Sequence, residues 1–235
     1  MMGVPTFYSR LLGDPRLNPA LCQGVRLFIS GSAPLSPATH AAWKARTGHV
    51  ILERYGMTET NMITSNPYAG DRRAGTVGMA LPGVSLRVVD PLGQPVAPGA
   101  AGSIEVRGPN VFQGYWRMPV ETAKEFRDGW FVTGDLGAVD VDGYLSILGR
   151  AKDLVITGGL NVYPAEVEAA LDALPGVAAS AVIGVPHPDF GEAVVACVVG
   201  QVDPETVRAA LRERLAAFKI PKVVLVVEAL PRNAM

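Results

Sequence analysis

Cysteine is nearly absent: the 235 residues hold only Cys22 and Cys197, far apart and in apolar surroundings. With no Cys-x-x-Cys, the chain argues against a disulfide framework or a zinc site and fits a reducing, cytoplasmic compartment. Charge is sparse and balanced, with 18% charged residues, 21 basic and 22 acidic, for a net charge of −1. Bulk electrostatics therefore recruits neither nucleic acid nor an acidic membrane surface. No run reaches the roughly 18 apolar residues of a membrane span. Met1-Met2-Gly3-Val4-Pro5 has no basic region ahead of an apolar one, so it does not read as a secretory signal. Apolar residues are plentiful at 49%, and 26 glycines and 19 prolines punctuate them. A sizeable core built from many short elements follows, in one large domain or two smaller ones.

In chain order, the pattern predicts a helix around residues 7–12, a polar loop, and a strand over 25–29 that runs into Ser30-Gly31-Ser32-Ala33-Pro34. Such a small-residue turn lets backbone approach a ligand closely, and it also suits an ordinary β-to-α turn. Ser36-Pro37 reads as a helix start and Gly48 as its C′ glycine, with His40 on the helix surface. From about residue 75 to 148 the texture turns to alternating strands over 85–89, 103–107 and 143–148, interrupted by a short helix over 119–126. Trp130-Phe131-Val132-Thr133-Gly134-Asp135-Leu136-Gly137 reads as a strand running into a turn that presents a carboxylate. Gly149-Arg150-Ala151-Lys152-Asp153 reads as a domain boundary. A permissive loop, Thr157-Gly158-Gly159-Leu160-Asn161, and a helix with Val167, Ala170, Leu171 and Leu174 on one face come next. Apolar strands over 179–185 and 193–199 follow, then a helix capped by Asp203 and a last strand over 223–227. The expected fold is α/β plus α+β. A parallel α/β portion followed by a small antiparallel barrel or sheet fills residues 1–149, and a small α+β domain fills 150–235.

The densest chemistry lies in Glu53-Arg54-Tyr55-Gly56-Met57-Thr58-Glu59-Thr60. It gathers a cation, an aromatic ring, hydroxyls and carboxylates after the apolar run Val50-Ile51-Leu52. A ring can stack on a base, a hydroxyl can meet a phosphate, and a carboxylate can hold Mg²⁺. The alternative is a solvated strand-to-loop junction.

Four loops in fixed order resemble one superfamily, the adenylate-forming enzymes. They are residues 30–34, Tyr55-Gly56-Met57-Thr58-Glu59, Thr133-Gly134-Asp135, and Gly149-Arg150-Ala151-Lys152-Asp153 continuing to Gly158-Gly159. The wider run through Asn61 and Met62, with residues 2–8 and 107–116, is most similar to malonyl-CoA synthetases. The resemblance implies an acid–CoA ligase that uses ATP, passes through a bound AMP ester, needs Mg²⁺ and takes coenzyme A and a small carboxylic acid. It implies that Tyr55 stacks on adenine, Thr58 contacts phosphate, Glu59 is the metal ligand, and Asp135 with Arg150 takes the ribose. Ser32, Ala33, Pro34, Gly56 and Met57 would line the nucleotide. Lys152 falls at a hinge between half-reactions, and Gly158 and Gly159 line the pantetheine channel. Arg54, where many relatives carry a small residue, suits a second carboxylate such as that of malonate or methylmalonate; otherwise it forms a salt bridge to Glu53 or Glu59. Met62 lines the acyl pocket or belongs to the core.

Two family segments have no counterpart. One is the Ser/Thr/Gly-rich loop ending in Pro-Lys-Gly that grips the ATP β- and γ-phosphates. The other is the Gly-Lys pair that would follow Pro231-Arg232-Asn233-Ala234-Met235. The sequence therefore reads as a fragment, expected to show little adenylation alone, because losing one charge donor in such a site costs several kcal/mol.

Overall fold

The structure is a computed structural model describing residues 1–231. It divides into two compact units, Met1–Ile147 and the chain from Leu148 onward.

The first unit opens with β1 (Met2–Gly3), α1 (Pro5–Leu12), α2 (Pro19–Cys22), β2 (Ile29–Ser30), α3 (Pro37–Thr47) and β3 (Leu52–Met57). The three strands pair in parallel, Gly3 beside Ser30 and Ser30 beside Glu53. Prolines at the helix starts explain where the helices begin: each α1–α3 has Pro in its first turn, where its missing N–H costs nothing. Ser36 caps α3 by accepting from the Thr39 N–H, and Gly48 closes it in the left-handed region at φ 76°. Of the strand expected over 25–29, only Ile29 is extended into the sheet. The helices cover one face through Tyr8, Leu17, Cys22, Phe28, Leu35, Trp43 and Ile51. The Tyr8 and Trp43 rings meet edge to face at 4.9 Å, and the Tyr8 hydroxyl donates to the Ile29 carbonyl at 2.6 Å. His40, expected on the helix surface, is buried, and its Nε2 meets the Ile51 carbonyl at 3.2 Å.

The same sheet continues antiparallel through β4 (Asn61–Ser65) and β5 (Met79–Ala80). A second, antiparallel sheet follows from β6 (Ser85–Val89), β7 (Gly102–Arg107), β8 (Phe126–Arg127), β9 (Trp130–Val139) and β10 (Leu145–Arg150), with α4 (Pro119–Lys124) between β7 and β8. Ile63, Val88, Ile104, Val106 and Leu145 form its core. Arg150 belongs to the second unit by contacts although β10 reaches it.

The second unit holds β11 (Val155–Thr157), β12 (Leu160–Val162), α5 (Pro164–Asp172), β13 (Val177–His187), β14 (Gly191–Gly200), α6 (Pro204–Arg212) and β15 (Val223–Val227). The central β14 pairs antiparallel with β13 and parallel with β15. Val167 and Leu171 of α5 and Val207 and Leu211 of α6 press on Val182, Val194, Ala196, Val198 and Val224 of the sheet. Asp203 caps α6 by accepting from the Thr206 N–H at 2.8 Å. The expected loop over 157–161 is instead a tight hairpin. Thr157 pairs with Leu160, and Gly158 (φ 57°) and Gly159 (φ 77°) form a two-residue turn that needs both positive φ values. Among the described residues no helix is long and apolar enough to cross a membrane.

Candidate functional site

The stretch Glu53 to Thr60 is strand followed by hairpin turn rather than a junction into loop. β3 runs to Met57, and Met57 pairs with Asn61 across the tip formed by Thr58, Glu59 and Thr60. The register shifts between Tyr55 and Gly56. A Cβ on Gly56 would lie 2.0 Å from the Asn61 carbonyl oxygen and 2.9 Å from Met62 Cα, so only glycine permits this crossing. A loop from the second sheet grips the tip. The Phe112 N–H donates to the Glu59 carbonyl at 2.7 Å, and Asn110 Nδ2 donates to the Thr60 carbonyl at 2.8 Å. The Tyr115 hydroxyl donates to Glu59 Oε1 at 3.1 Å. Thr58 is left exposed and Glu59 half-buried, beside one another at the hairpin's end.

Asp135 arrives from the other sheet, and it sits within β9 rather than in a turn after it. Ser103 pairs with Leu136 and Glu105 with Val132, so Thr133, Gly134 and Asp135 together face the single residue Ile104. This bulge is pinned where Thr133 Oγ1 donates to the Ile104 carbonyl at 2.9 Å and accepts from the Asp135 N–H at 3.1 Å. Gly134 takes φ 72°, as the bulge requires. The result is a short contact, the Tyr55 hydroxyl donating to Asp135 Oδ2 at 2.5 Å. Tyr55 and Asp135, 80 residues apart, are thus brought together, with the Tyr55 ring half-buried against the core of the second sheet.

Ser32, Ala33 and Pro34 lie exposed just beyond β2, whose neighbour in the sheet is β3. Ser32 has φ 69°. The loop and the Tyr55 stretch therefore leave adjacent parallel strands at their carboxyl ends, where open α/β sheets bind ligands. Glu53 is 5% exposed. Burial pushes its carboxyl up to about 8, against the lowering effect of the Gly75 N–H. Arg54, next along the strand, takes neither of the expected salt bridges; its Nη2 rests on Met2 Sδ at 2.6 Å. Met62, half-buried, lies opposite Gly56 on β4.

Arg150, Lys152, Gly158 and Gly159 belong to the second unit. Arg150 ends β10, and Lys152 is exposed in a 3-10 turn over Ala151–Asp153. Both line an open cavity of about 540 Å³ with Tyr163 and Glu168. Burial raises the Glu168 carboxyl, while the Val182 N–H, donating to it at 2.8 Å, opposes the shift.

Among the described residues no group of three or more His, Cys, Asp or Glu is placed to cage a metal. Glu59 alone suits Mg²⁺ arriving with phosphate, since that ion keeps several waters and needs only one or two carboxylates from the protein. The Asp135 carboxylate, anchored by its own strand's bulge, offers planar acceptor oxygens of the kind that take paired hydroxyls. The donor set therefore fits a nucleotide carrying a phosphate-bound Mg²⁺. Asn110 and Tyr115 were legible only within the resembling run over 107–116, and Thr133 only within the Thr133-Gly134-Asp135 loop; their contacts depend on register and reach. Met2 was legible only as part of a resembling segment.

The first 116 residues match the model of the AMP-binding enzyme family, and residues 166–235 match that of the AMP-binding enzyme C-terminal domain. The chain belongs to the AMP-binding enzymes. It is 41% identical over 238 residues to a feruloyl-CoA synthase of an Amycolatopsis species, covering 98% of this chain and 48% of that protein. It is 38% identical over 257 residues to a malonate–CoA ligase of Arabidopsis thaliana, covering 99% of this chain and 42% of that one. Its fold superposes on ATP-bound MatB from Rhodopseudomonas palustris with a TM-score of 0.97 and 62% identity, over 100% of this chain and 48% of that one. The chain thus spans about half the length of the relatives it matches.

Proposed function

We propose that the protein is a cytoplasmic acid–CoA ligase that activates a small dicarboxylic acid, malonate or methylmalonate, with ATP and passes it to coenzyme A. The observation that carries this reading is Arg54. Its guanidinium touches a thioether in place of a carboxylate, one residue before the ring that is bonded to Asp135. A guanidinium without a carboxylate partner among the described residues is suited to bind one from a substrate. The malonate–CoA ligase relative supports the same substrate class.

On this reading residues 1–149 belong to the large AMP-binding domain and 150–235 to the small carboxyl-terminal one. Tyr55 offers its face to adenine, Asp135 and Arg150 take the ribose hydroxyls, and Ser32, Ala33, Pro34, Gly56 and Met57 line the nucleotide. Thr58 donates to phosphate and Glu59 orients the metal. Mg²⁺, when bound, neutralises charge on the α-phosphate as the carboxylate attacks. Lys152 is the hinge, Gly158 and Gly159 line the thiol's approach, and Met62 bounds the acyl pocket.

Calorimetry on the 235-residue chain tests the binding half of this. AMP should bind, and Asp135→Asn should weaken it at least about tenfold, the worth of a charge-assisted hydrogen bond. Malonate added to the AMP-saturated chain should bind, and Arg54→Ala should abolish that binding while leaving AMP affinity intact. A second reading, a ligase for a monocarboxylic acid, is favoured by the feruloyl-CoA synthase relative. It would show as acetate or an aromatic acid binding with Arg54→Ala neutral. No AMP binding by the wild-type chain would sink both.

A further inference from the structure

Ser30 and Glu53 stand side by side on β2 and β3, in register, each two residues after a member of the helix-packed core, Phe28 and Ile51. They are 1% and 5% exposed. Each has a buried oxygen, Ser30 Oγ and Glu53 Oε1, with no hydrogen-bond partner. An unsatisfied buried polar atom costs free energy, and two on neighbouring strands call for a shared partner. One water between them would have a hydroxyl and a carboxyl to bond. The pair also sits at a mechanical junction. Ser30 begins the loop carrying Ser32 to Pro34, Glu53 stands two residues before Tyr55, and the Gly75 N–H leans on the Glu53 carboxyl from the segment after β4. Gly75 in turn lies close under Pro37, the first residue of α3; a Cβ on it would be 3.5 Å from Pro37 Cγ.

We propose that Glu53 is a positioning residue: as a neutral acid bridged by one buried water to Ser30, it holds the loop over 30–34 and the Tyr55 strand in the arrangement that receives a nucleotide. The nucleotide part of this rests on the function proposed above; the latch itself does not. Ionising Glu53 places an uncompensated charge in a buried site and opens the latch. Among the described residues no cation contributes to its shift. The titratable and charged groups on the elements around it are Tyr8 and Arg10 on α1, His40, Lys44 and Arg46 on α3, Asp71, Arg72 and Arg73 on the segment after β4, Arg54 on its own strand and the Met1 ammonium ahead of β1. The causes of the Glu53 shift are burial and, opposing it, the Gly75 N–H. His40 is itself lowered by burial, so it is neutral throughout the range in which Glu53 loses its proton.

Infrared spectroscopy and hydrogen exchange on the wild-type chain, Glu53→Gln and Ser30→Ala test this. The wild type should show a protonated carboxyl stretch at neutral pH that Glu53→Gln lacks and that fades by about pH 9. A group titrating at about 8 is then roughly nine-tenths ionised. Over the same range, peptides covering residues 30–35 and 53–60 should exchange about tenfold faster than intrinsic chemistry predicts in the wild type and unchanged in Glu53→Gln. Ser30→Ala should show the fast exchange already at neutral pH. AMP affinity in the wild type should fall about tenfold, as expected when the competent fraction drops to a tenth; in Glu53→Gln it should stay flat. Equal pH dependence of exchange in the wild type and Glu53→Gln overturns the proposal. If Glu53→Gln does not fold, the wild type decides: no carboxyl stretch lost between neutral pH and about 9 overturns it. Failure of AMP to bind at any pH removes the nucleotide reading and leaves the exchange result to judge the latch.

Discussion

Replacing Glu53 with glutamine also makes a quantitative demand on stability. The residue is 5% exposed, and burial raises its carboxyl from 4.5 to about 8. A folded value above the unfolded one means that the native state holds the proton more tightly. The associated stability is fully present below the unfolded value and is lost as pH rises through the folded one. The window therefore runs from about 4.5 to about 8. Integrated from about pH 5 to about pH 9, a 3.5-unit difference (8 less 4.5) removes about 4 kcal/mol, nearly all of it before the folded group has finished ionising. Glutamine keeps an acceptor for the Gly75 N–H and cannot ionise. It also introduces an extra N–H to satisfy, at about 1 kcal/mol.

The stability curves of the two proteins should therefore cross. Near pH 4 the wild type is the more stable, by about 1 kcal/mol; near pH 9 Glu53→Gln leads by about 4 kcal/mol. Urea unfolding at several pH values, followed by the fluorescence of the buried Trp43 beside Tyr8 and Phe28, reports on the unit concerned. Other titrating groups are common to both proteins and cancel in the difference. A difference that stays constant across this range would mean that Glu53 is ionised in the native state, and the account of its burial would be wrong.

Gly56→Ala should cost at least about 3 kcal/mol and abolish AMP binding, because the new Cβ meets the Asn61 backbone at 2.0 Å. Gly24→Ala, with nothing within 4 Å, should change stability by less than about 0.5 kcal/mol; chemical denaturation compares the two. Glu105 is fully buried and bridges Arg87 at 2.6 Å and Arg127 at 3.3 Å. Glu105→Ala should cost about 3–5 kcal/mol by leaving the Arg87 cation without its partner, and a melting curve unchanged from wild type would contradict that. Arg73 joins Asp71, Asp140 and Asp142 and lies over the Tyr144 ring at 4.1 Å. These partners are exposed, so Arg73→Ala should destabilise more at low salt than at high salt, and equal loss in both would point to packing instead of charge.

Periodicity and punctuation made the layered architecture legible. Pro37 after Ser36, Pro204 after Asp203 and the glycine at 48 place helix ends by local chemistry that tertiary packing did not override. Strand lengths were less legible. Residues 25–28 look like a strand, yet only Ile29–Ser30 pairs as one; Phe28 contributes its side chain to the helix-covered core and its carbonyl to the Leu52 N–H at 2.8 Å. Conversely, Tyr55 to Met57 and Asp135 look like loop residues, yet they lie inside β3 and β9. His40 looks like surface because its ring is polar; it is buried, with its Nε2 against the Ile51 carbonyl just ahead of β3.

The two misjudged stretches share a cause. The strands were expected to end at Leu52 and ahead of Asp135, and each instead continues through an interrupted ladder: a register shift at Tyr55 and Gly56, a three-residue bulge at Asp135. A regular ladder would alternate side chains between faces and give no reason for Tyr55 and Asp135, on different sheets, to meet. On β9 the bulge sets two extra residues opposite Ile104 and leaves Asp135 on the buried side with Phe131 and Thr133, where the Tyr55 phenol and its carboxylate meet. Residue types alone reveal a ring, a carboxylate and glycines nearby. What joins them is an irregularity whose energetic justification lies in the partner strands, in the Asn61 carbonyl that leaves no room for a Cβ and in the Ile104 carbonyl that accepts from Thr133. The residue types of this site are plain in the sequence and their expected roles come only through the family resemblance, while the geometry depends on contacts 5 to 80 residues away in sequence.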